Sequence, residues 1–544
     1  MGRQRLVAYE RVELERRVFV PYSFFSRLTS VSERFTTRQG LATFAGLVLF
    51  HFLLSTAFIL LAKSAWFADY HYGNGLWVFA GDSYAYHNAG MEGMRALEQG
   101  IYTDWWNPPS GFWHVKLIAV AYYLFGPDPL AYAPVNALVW AGCVTLVYRS
   151  SLRLFPDAYA VAVVVALLFG LWPTHLVHSM QLLRESFYLL GGLSLFYAGI
   201  GLATRTDHYS DLLALVAGVY LVFVIRPYLV TVFLALIVVA ALFSLIRDRR
   251  RWVTPVLALL IVIGGQWYLS HDKAERIASI AKRNVVIDQV MRERVEGAKA
   301  AGIVSDDPRE VQAFREKEHR DIVILVSRLS DEEIEAAFLE NRAKYDAPTA
   351  SSGVAAIPGG GTAYADSPMP LPSHAWKSAL GLPAPLDSAL RDVAVSRDGF
   401  FASQLDRGGG TLSDGSVRLF SDMEVIGYFP RAAVSGLFAP FPDDWFAESR
   451  TVGFVGRLVV AGEMAALYVL YFGYAFFLIR SDRGWQEKVW ILLFHLSFVT
   501  LLGLVVTNAG ALHRMRILYL APVVITGVYG LSQWYRAAKR PLDR

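Results

Sequence analysis

Eleven apolar segments run through this sequence, at roughly 41–62, 112–125, 130–148, 158–174, 185–203, 211–225, 228–246, 253–270, 455–479, 489–507 and 517–535. A helix that crosses a bilayer needs about 20 apolar residues, with about 17 as a lower limit. In hydrocarbon every backbone N–H and C=O must be bonded internally, and a helix does this within one segment. Such runs therefore point to an all-α polytopic membrane protein. The composition agrees: only 18% of the 544 residues are charged, whereas a soluble chain carries about 25%. The lone cysteine, Cys143, lies inside an apolar run, which excludes a disulfide framework or a cysteine zinc site. With no repeat, heptad or basic face, the collagen-like, coiled-coil and nucleic-acid-binding classes are excluded as well.

Orientation follows from Arg and Lys near the span ends. Residues 1–40 carry eight Arg and four Glu and no small-residue cleavage site, so they read as a cytoplasmic arm and not as a secretory signal. Arg247-Asp248-Arg249-Arg250-Arg251, the stretch Arg480 to Lys488, and the tail with Arg536, Lys539, Arg540 and Arg544 also belong inside. Between residue 63 and the inside loop at 247–252 the number of crossings must be odd, yet six apolar segments lie there. The segment 112–125 is the one expected not to cross. It opens with His114 and Lys116 and is bracketed by Pro108-Pro109 and Pro127, which suits a helix at the outer interface. A rival repair fuses 211–246 into one broken helix across Arg226-Pro227. The expected architecture is about ten transmembrane helices, with an interfacial helix in the first external loop, 63–129. Its parts are the arm 1–40, a transmembrane module 41–270, an external segment 271–454, transmembrane helices 455–535 and a cytoplasmic tail 536–544. The expected setting is the plasma (inner) membrane, with both termini cytoplasmic.

The segment 271–454 is the soluble-looking part, small and mostly helical. Ser330-Asp331-Glu332-Glu333 resembles a capping box. Residues 346–372, with Gly359-Gly360-Gly361 and Pro358, Pro368, Pro370 and Pro372, read as a linker. Gly408-Gly409-Gly410 and Asp414-Gly415 mark turns around an expected short strand, Val417 to Phe420. Tyr428-Phe429-Pro430 through Pro442 reads as too Pro-broken to span, with aromatics suited to an interfacial seat.

In such a protein the informative residues are charges where lipid or the charge rule would exclude them. Asp82 falls in the first external loop, beside Tyr84, Tyr86 and His87, and the loop is rich in aromatics, among them Tyr102, Trp105 and Trp106. The plainer role for Asp82 is a solvated acid or a helix N-cap. His175, His178, Arg184 and Glu185 gather at the outer end of the fourth run, where Arg184 and Glu185 also fit a helix-end ion pair. His175 and His178 have a ligand-pair spacing but no third ligand in the motif. Asn508 to Arg516 forms a tight external turn that carries His513, Arg514 and Arg516, and Arg226 is external as well. Arginine's planar fork binds phosphate or carboxylate in bidentate fashion, so these arginines form a candidate anion site; the alternative is pairing with lipid headgroups or with Glu463. Glu463 is an intramembrane acid that needs a partner, with Arg457 one to two turns above it.

These residues carry a resemblance. Gly81-Asp82-Ser83-Tyr84 with Tyr86 and Ala89, then Asn107-Pro108-Pro109, Phe125-Gly126, Tyr148-Arg149 to Leu154-Phe155, and Trp172-Pro173 with Glu185 a dozen residues on, resemble the GT-C superfamily of polyprenyl-phosphate-sugar glycosyltransferases over about residues 41–250. The Asn508-Ala509-Gly510 to Arg514-Met515-Arg516 pattern is similar to that of bacterial envelope-polysaccharide members. The resemblance implies Asp82 as catalytic base or acceptor-orienting acid and Glu185 as the second acid, in some members a metal ligand. The chain departs from the family pattern at Ser83, where a paired acid is frequent, and at Arg184, whose charge would compete with a divalent metal for Glu185.

The expected function is an inverting transferase acting on the external (periplasmic) face. It would move a sugar from a polyprenyl-phosphate donor to an envelope glycan, lipid or protein acceptor. Asp82 serves as base, and Arg226, His513, Arg514 and Arg516 hold the donor phosphate. Tyr84, Tyr86, His87, His175, His178, Arg184, Glu463 and Asn508 are further pocket candidates. A divalent metal is left open. Membrane lipids are expected partners, and nucleic acid is not. A polymerase or ligase using lipid-linked oligosaccharide is one alternative; a non-enzymatic transporter or assembly scaffold is another.

Overall fold

The computed structural model describes residues 38–106, 112–204, 209–247, 252–305, scattered positions from 310 to 339, then 376–405, 414, 417–446 and 453–539. Most of the arm 1–40, Asn107-Pro108-Pro109, the arginines at 249–251, the linker 346–372, Gly408 to Gly410, Gly415 and residues 540–544 lie outside the described residues.

Among the described residues the regular elements are helical, joined by two isolated bridges, His71–Trp77 and Lys377–Ser421. The helices that matter for the site are α1 (Arg38–Leu61), α2 (Asp82–Glu98), α3 (Tyr102–Trp106), α4 (Val115–Phe125), α5 (Ala133–Leu154), α6 (Tyr159–Gly170), α7 (Pro173–Ser179), α8 (Glu185–Thr204), α9 (Tyr209–Ile225) and α10 (Pro227–Arg247). They continue with α11 (Val253–Ala300), α12 (Ala384–Leu405), α13 (Asp422–Phe438), α14 (Gly453–Arg480), α15 (Trp485–Val505), α16 (Ala509–Met515) and α17 (Ile517–Lys539). Contacts divide the chain into two units, one of Met1–Gln99, Trp113–Val262 and Pro370–Arg544, the other of Gly100–Phe112 and Ile263–Met369.

Seven helices among the described residues are long and apolar enough to cross a membrane, and an eighth span results if α6 and α7, bent by 58°, are counted together. The expected spans at 211–225 and 253–270 lie on α9 and α11, whose apolar parts among the described residues are Asp211–Ile225 and Val253–Gly264 and are not counted with these seven. The expected span 158–174 breaks at Leu171-Trp172, because Pro173 has no N–H and its ring blocks the preceding turn. Helix α4 has 11 residues, too few to cross.

One expectation in the external segment is corrected. Val417–Phe420 is not a strand: it is extended chain running into the Lys377–Ser421 bridge, with Lys377 N donating to Phe420 O at 2.9 Å. Pro430 does not break its own helix, since α13 runs through it. Helix α13 nevertheless ends at Phe438, before Pro440, and at 17 residues it is not among the helices long and apolar enough to cross, so the expectation that this stretch does not span is unchanged. A single proline removes one hydrogen bond, and α13 has other support. The Ser421 hydroxyl accepts from Glu424 N at 3.2 Å, and buried Asp422 accepts from Ala379 N and Leu380 N at 2.8 and 2.9 Å. In the second unit, Val286, Met291, Val295, Ile322, Val326 and Ile334 form a small core. There the capping box is present: Ser330 N donates to Glu333 Oε2 at 2.7 Å, and Glu333 N donates back to the Ser330 hydroxyl at 3.2 Å.

Glycine lets helix backbones approach closely in the first unit. A Cβ on Gly530 of α17 would lie 2.0 Å from the Gly473 carbonyl of α14, and one on Gly473 would lie 2.2 Å from the Gly527 carbonyl. Backbone contact of this kind replaces the hydrophobic drive that lipid cannot supply. Gly530→Leu is expected to destabilise the protein by about 1–3 kcal/mol, read as a lower melting temperature in detergent; an unchanged melt would show that the two backbones are not in contact.

Candidate functional site

Charge from remote parts of the chain meets at one end of several spans. Helix α2 follows the turn at Gly81, and its buried positions Ser83, Tyr86, His87, Gly90 and Gly93 recur at helical spacing. That face packs on α4, where Gly90 leaves no room for a Cβ beside Ile118 (2.5 Å) and His87 Nδ1 is 2.7 Å from the Tyr122 hydroxyl. Asp82, in the first turn of α2, is thereby held off that face, with a third of its side chain exposed. Its Oδ2 lies 3.7 Å from Nη2 of Arg514 in α16.

A second pair adjoins the first. Glu185 begins α8, where an acid suits the helix dipole, and its Oε1 is 3.4 Å from Nη2 of Arg226. Arg226 is buried where Pro227 interrupts α9 and α10, with its guanidinium 5.1 Å from the centre of the Tyr188 ring. Arg514, Arg226 and Arg184 all act electrostatically on Glu185. Tyr86 joins the two pairs: it feels Asp82, Glu185, Arg184 and Arg226, and burial raises its phenol above the ordinary range, so it stays protonated. Three guanidiniums thus face two carboxylates, and the cluster carries one positive charge in excess.

His513 and Arg516 have partners of their own. His513 Nε2 lies 2.5 Å from Oε2 of Glu463, and Glu463 also accepts from Thr174 N at 2.6 Å and the Thr174 hydroxyl at 2.5 Å. Burial pushes the His513 imidazole down, against the pull of Glu463. Glu463 is therefore partnered by Thr174 and His513. Arg516 is fully buried and donates from Nη1 to the Leu437 carbonyl at 3.1 Å. The Tyr468 and Tyr471 hydroxyls donate to Phe438 O and Leu437 O at 3.1 and 3.4 Å. Arg516 thus closes the C-terminal end of α13, where orphan carbonyls and the helix dipole favour a cation. Arg514 and Arg516 are two residues apart on a helical turn, so they face opposite sides.

The remaining candidates separate in the same way. Asn508 caps α16, accepting from Gly510 N and Ala511 N at 2.9 and 3.1 Å. Tyr84 is exposed against Tyr72, with ring centres 5.1 Å apart. His175 is buried against Phe169. His178 Nδ1 donates to the Thr174 carbonyl at 2.7 Å, its ring stands edge-on to Phe79, and Arg514, Glu185 and Glu463 act on it. Tyr102, Trp105 and Trp106 belong to the second unit. Among the described residues no three His, Cys, Asp or Glu side chains converge as a metal site, and the surroundings of Glu185 are already cationic. The residues present do not fit a divalent ion. Thr174 was not foreseen; its signal is the preceding Pro173, which starts α7 and leaves the Thr174 amide without a partner in its own helix.

Comparison with family models, curated proteins and solved structures finds no match to this chain.

Proposed function

We propose that the protein is a GT-C-type inverting glycosyltransferase that moves a sugar from a polyprenyl-phosphate donor to a glycan, lipid or protein acceptor at the external (periplasmic) face of the membrane. The observation that carries this reading is the 3.7 Å approach of Asp82 and Arg514, residues from opposite ends of the chain, beside the Glu185–Arg226 pair. A carboxylate that is partly exposed and a guanidinium in excess are what the reaction needs side by side.

A sugar hydroxyl is a weak nucleophile near neutral pH. Asp82 takes its proton as the oxygen bonds to the anomeric carbon of the donor sugar. The bond from that carbon to the phosphate oxygen breaks on the opposite face, and the electron pair leaves with the polyprenyl phosphate. The phosphate gains negative charge in the transition state, and Arg514, backed by Arg226 and Arg184, stabilises it. Glu185 holds Arg226 in place and keeps the arginine group from repelling itself apart. Tyr86, kept protonated, offers a hydrogen-bond donor between the two pairs.

The direct test supplies vesicles containing the purified protein with labelled polyprenyl-phosphate sugars and an acceptor mixture, and follows loss of the lipid-linked label. Arg514→Gln is expected to weaken donor binding by about ten- to a hundredfold, the worth of one charge-assisted hydrogen bond. Unchanged donor affinity in that variant removes the phosphate role.

A further inference from the structure

At the other end of the same spans lies a cavity that the transfer reading does not use. Helix α10 begins beside Arg226 and ends at Arg247, and its 21 residues set these ends about 31 Å apart. There Arg247, Asp482, Arg483, Glu487, Tyr529 and Gln533 line a cavity of about 320 Å³. Arg247 Nη1 donates to Glu487 Oε1 at 3.0 Å. Glu487 is 5% exposed, yet its second oxygen, Oε2, is buried without a hydrogen-bond partner, and so is Oε1 of Gln533. A buried carboxylate oxygen left unsatisfied is costly, so two of the side chains that line the cavity, Glu487 and Gln533, each keep an acceptor short of an N–H donor. The same wall carries two guanidiniums and two carboxylates and is neutral in sum.

A ligand that satisfies both features is zwitterionic, with an anion for the arginines and a primary ammonium for Glu487. The position selects a lipid. Helices α10 and α14 end here, α15 begins here, and α17 reaches here in its last turns. Trp485, Trp534 and Tyr535 stand exposed at these same helix ends, as aromatic residues do at headgroup depth. Pockets of this kind between spans receive lipid headgroups.

We propose that this cavity binds the headgroup of an aminophospholipid, with the phosphate on Arg247 and Arg483 and the ammonium on Glu487 Oε2 and Gln533 Oε1. The site is independent of the transferase reading. The test measures binding to the full chain in detergent, by native mass spectrometry and by thermal shift, of phosphatidylethanolamine, phosphatidylcholine, phosphatidylglycerol and soluble phosphoethanolamine. Phosphatidylcholine has the same phosphate but no N–H on its ammonium, and phosphatidylglycerol has no ammonium. Phosphatidylethanolamine is expected to bind at least about tenfold more tightly than either, which is about 1.4 kcal/mol. Glu487→Gln is expected to erase that preference, and Arg483→Gln to weaken all three lipids alike. Should Glu487→Gln fail to fold, Gln533→Leu reads the same preference from the other acceptor. Equal binding of the three lipids by the unaltered protein overturns the proposal, as does a preference that survives Glu487→Gln. Soluble phosphoethanolamine binding as tightly as the lipid overturns the lipid source.

Discussion

Asp82→Asn is expected to lower sugar transfer by about two to four orders of magnitude, the usual worth of a positioned general base. The substitution keeps the size and hydrogen-bonding reach of the side chain but cannot accept the proton of an acceptor hydroxyl. Asp82 begins α2 on its exposed side, and the packing of α2 on α4 is carried by Tyr86, His87 and Gly90. The melting temperature should therefore stay close to that of the unaltered protein. Turnover of a labelled polyprenyl-phosphate sugar, measured beside the melt, separates loss of chemistry from loss of fold. Undiminished turnover would remove Asp82 from the reaction.

The largest effect on stability is expected at Glu463. Glu463→Ala leaves the Thr174 amide and hydroxyl and His513 Nε2 without their acceptor inside the bundle. Removing one partner of a buried pair costs about 3–5 kcal/mol. Replacing Glu463 and His513 together by Leu removes the histidine donor as well, and is expected to recover a large part of that loss, because an apolar pair of similar volume carries no desolvation penalty. Unfolding in mixed micelles checks both variants. A single substitution that is neutral, or a double one no better than the single, would show that the three groups do not act as a unit.

Much of the architecture was legible because hydrocarbon leaves the backbone few choices. Each expected span falls on one helix or, at 158–174, on two, and the odd-crossing requirement pointed to 112–125, where α4 proves too short to cross. What the runs do not carry is how apolar length is divided: Pro173 splits one run, while the same residue type at 430 leaves α13 whole, since capping and packing around Ser421 and Asp422 decide the second case. For the site, position along the chain indicated which end of a span each charge occupies, and Asp82, Glu185, Arg226 and Arg514 do meet. It did not indicate which way a side chain faces around its helix. Hence Arg514 and Arg516 looked equivalent, although one reaches Asp82 and the other holds the end of α13. Thr174 was invisible for a similar reason: its partner Glu463 is 289 residues away.

The bend between α6 and α7 has a consequence for descent. Helix α6 has 12 residues, about 18 Å, against a hydrocarbon thickness of about 30 Å. Counted as one crossing, the pair therefore breaks below the surface, where an amide left bare has no water to turn to. Glu463 supplies what that amide lacks. A lineage that straightened the helix by losing Pro173 would leave the acid stranded, and one that lost the acid would leave the break stranded. Kindred sequences should therefore keep the two together or exchange them together, so that a tally of ancestors and cousins would show both traits inherited as one.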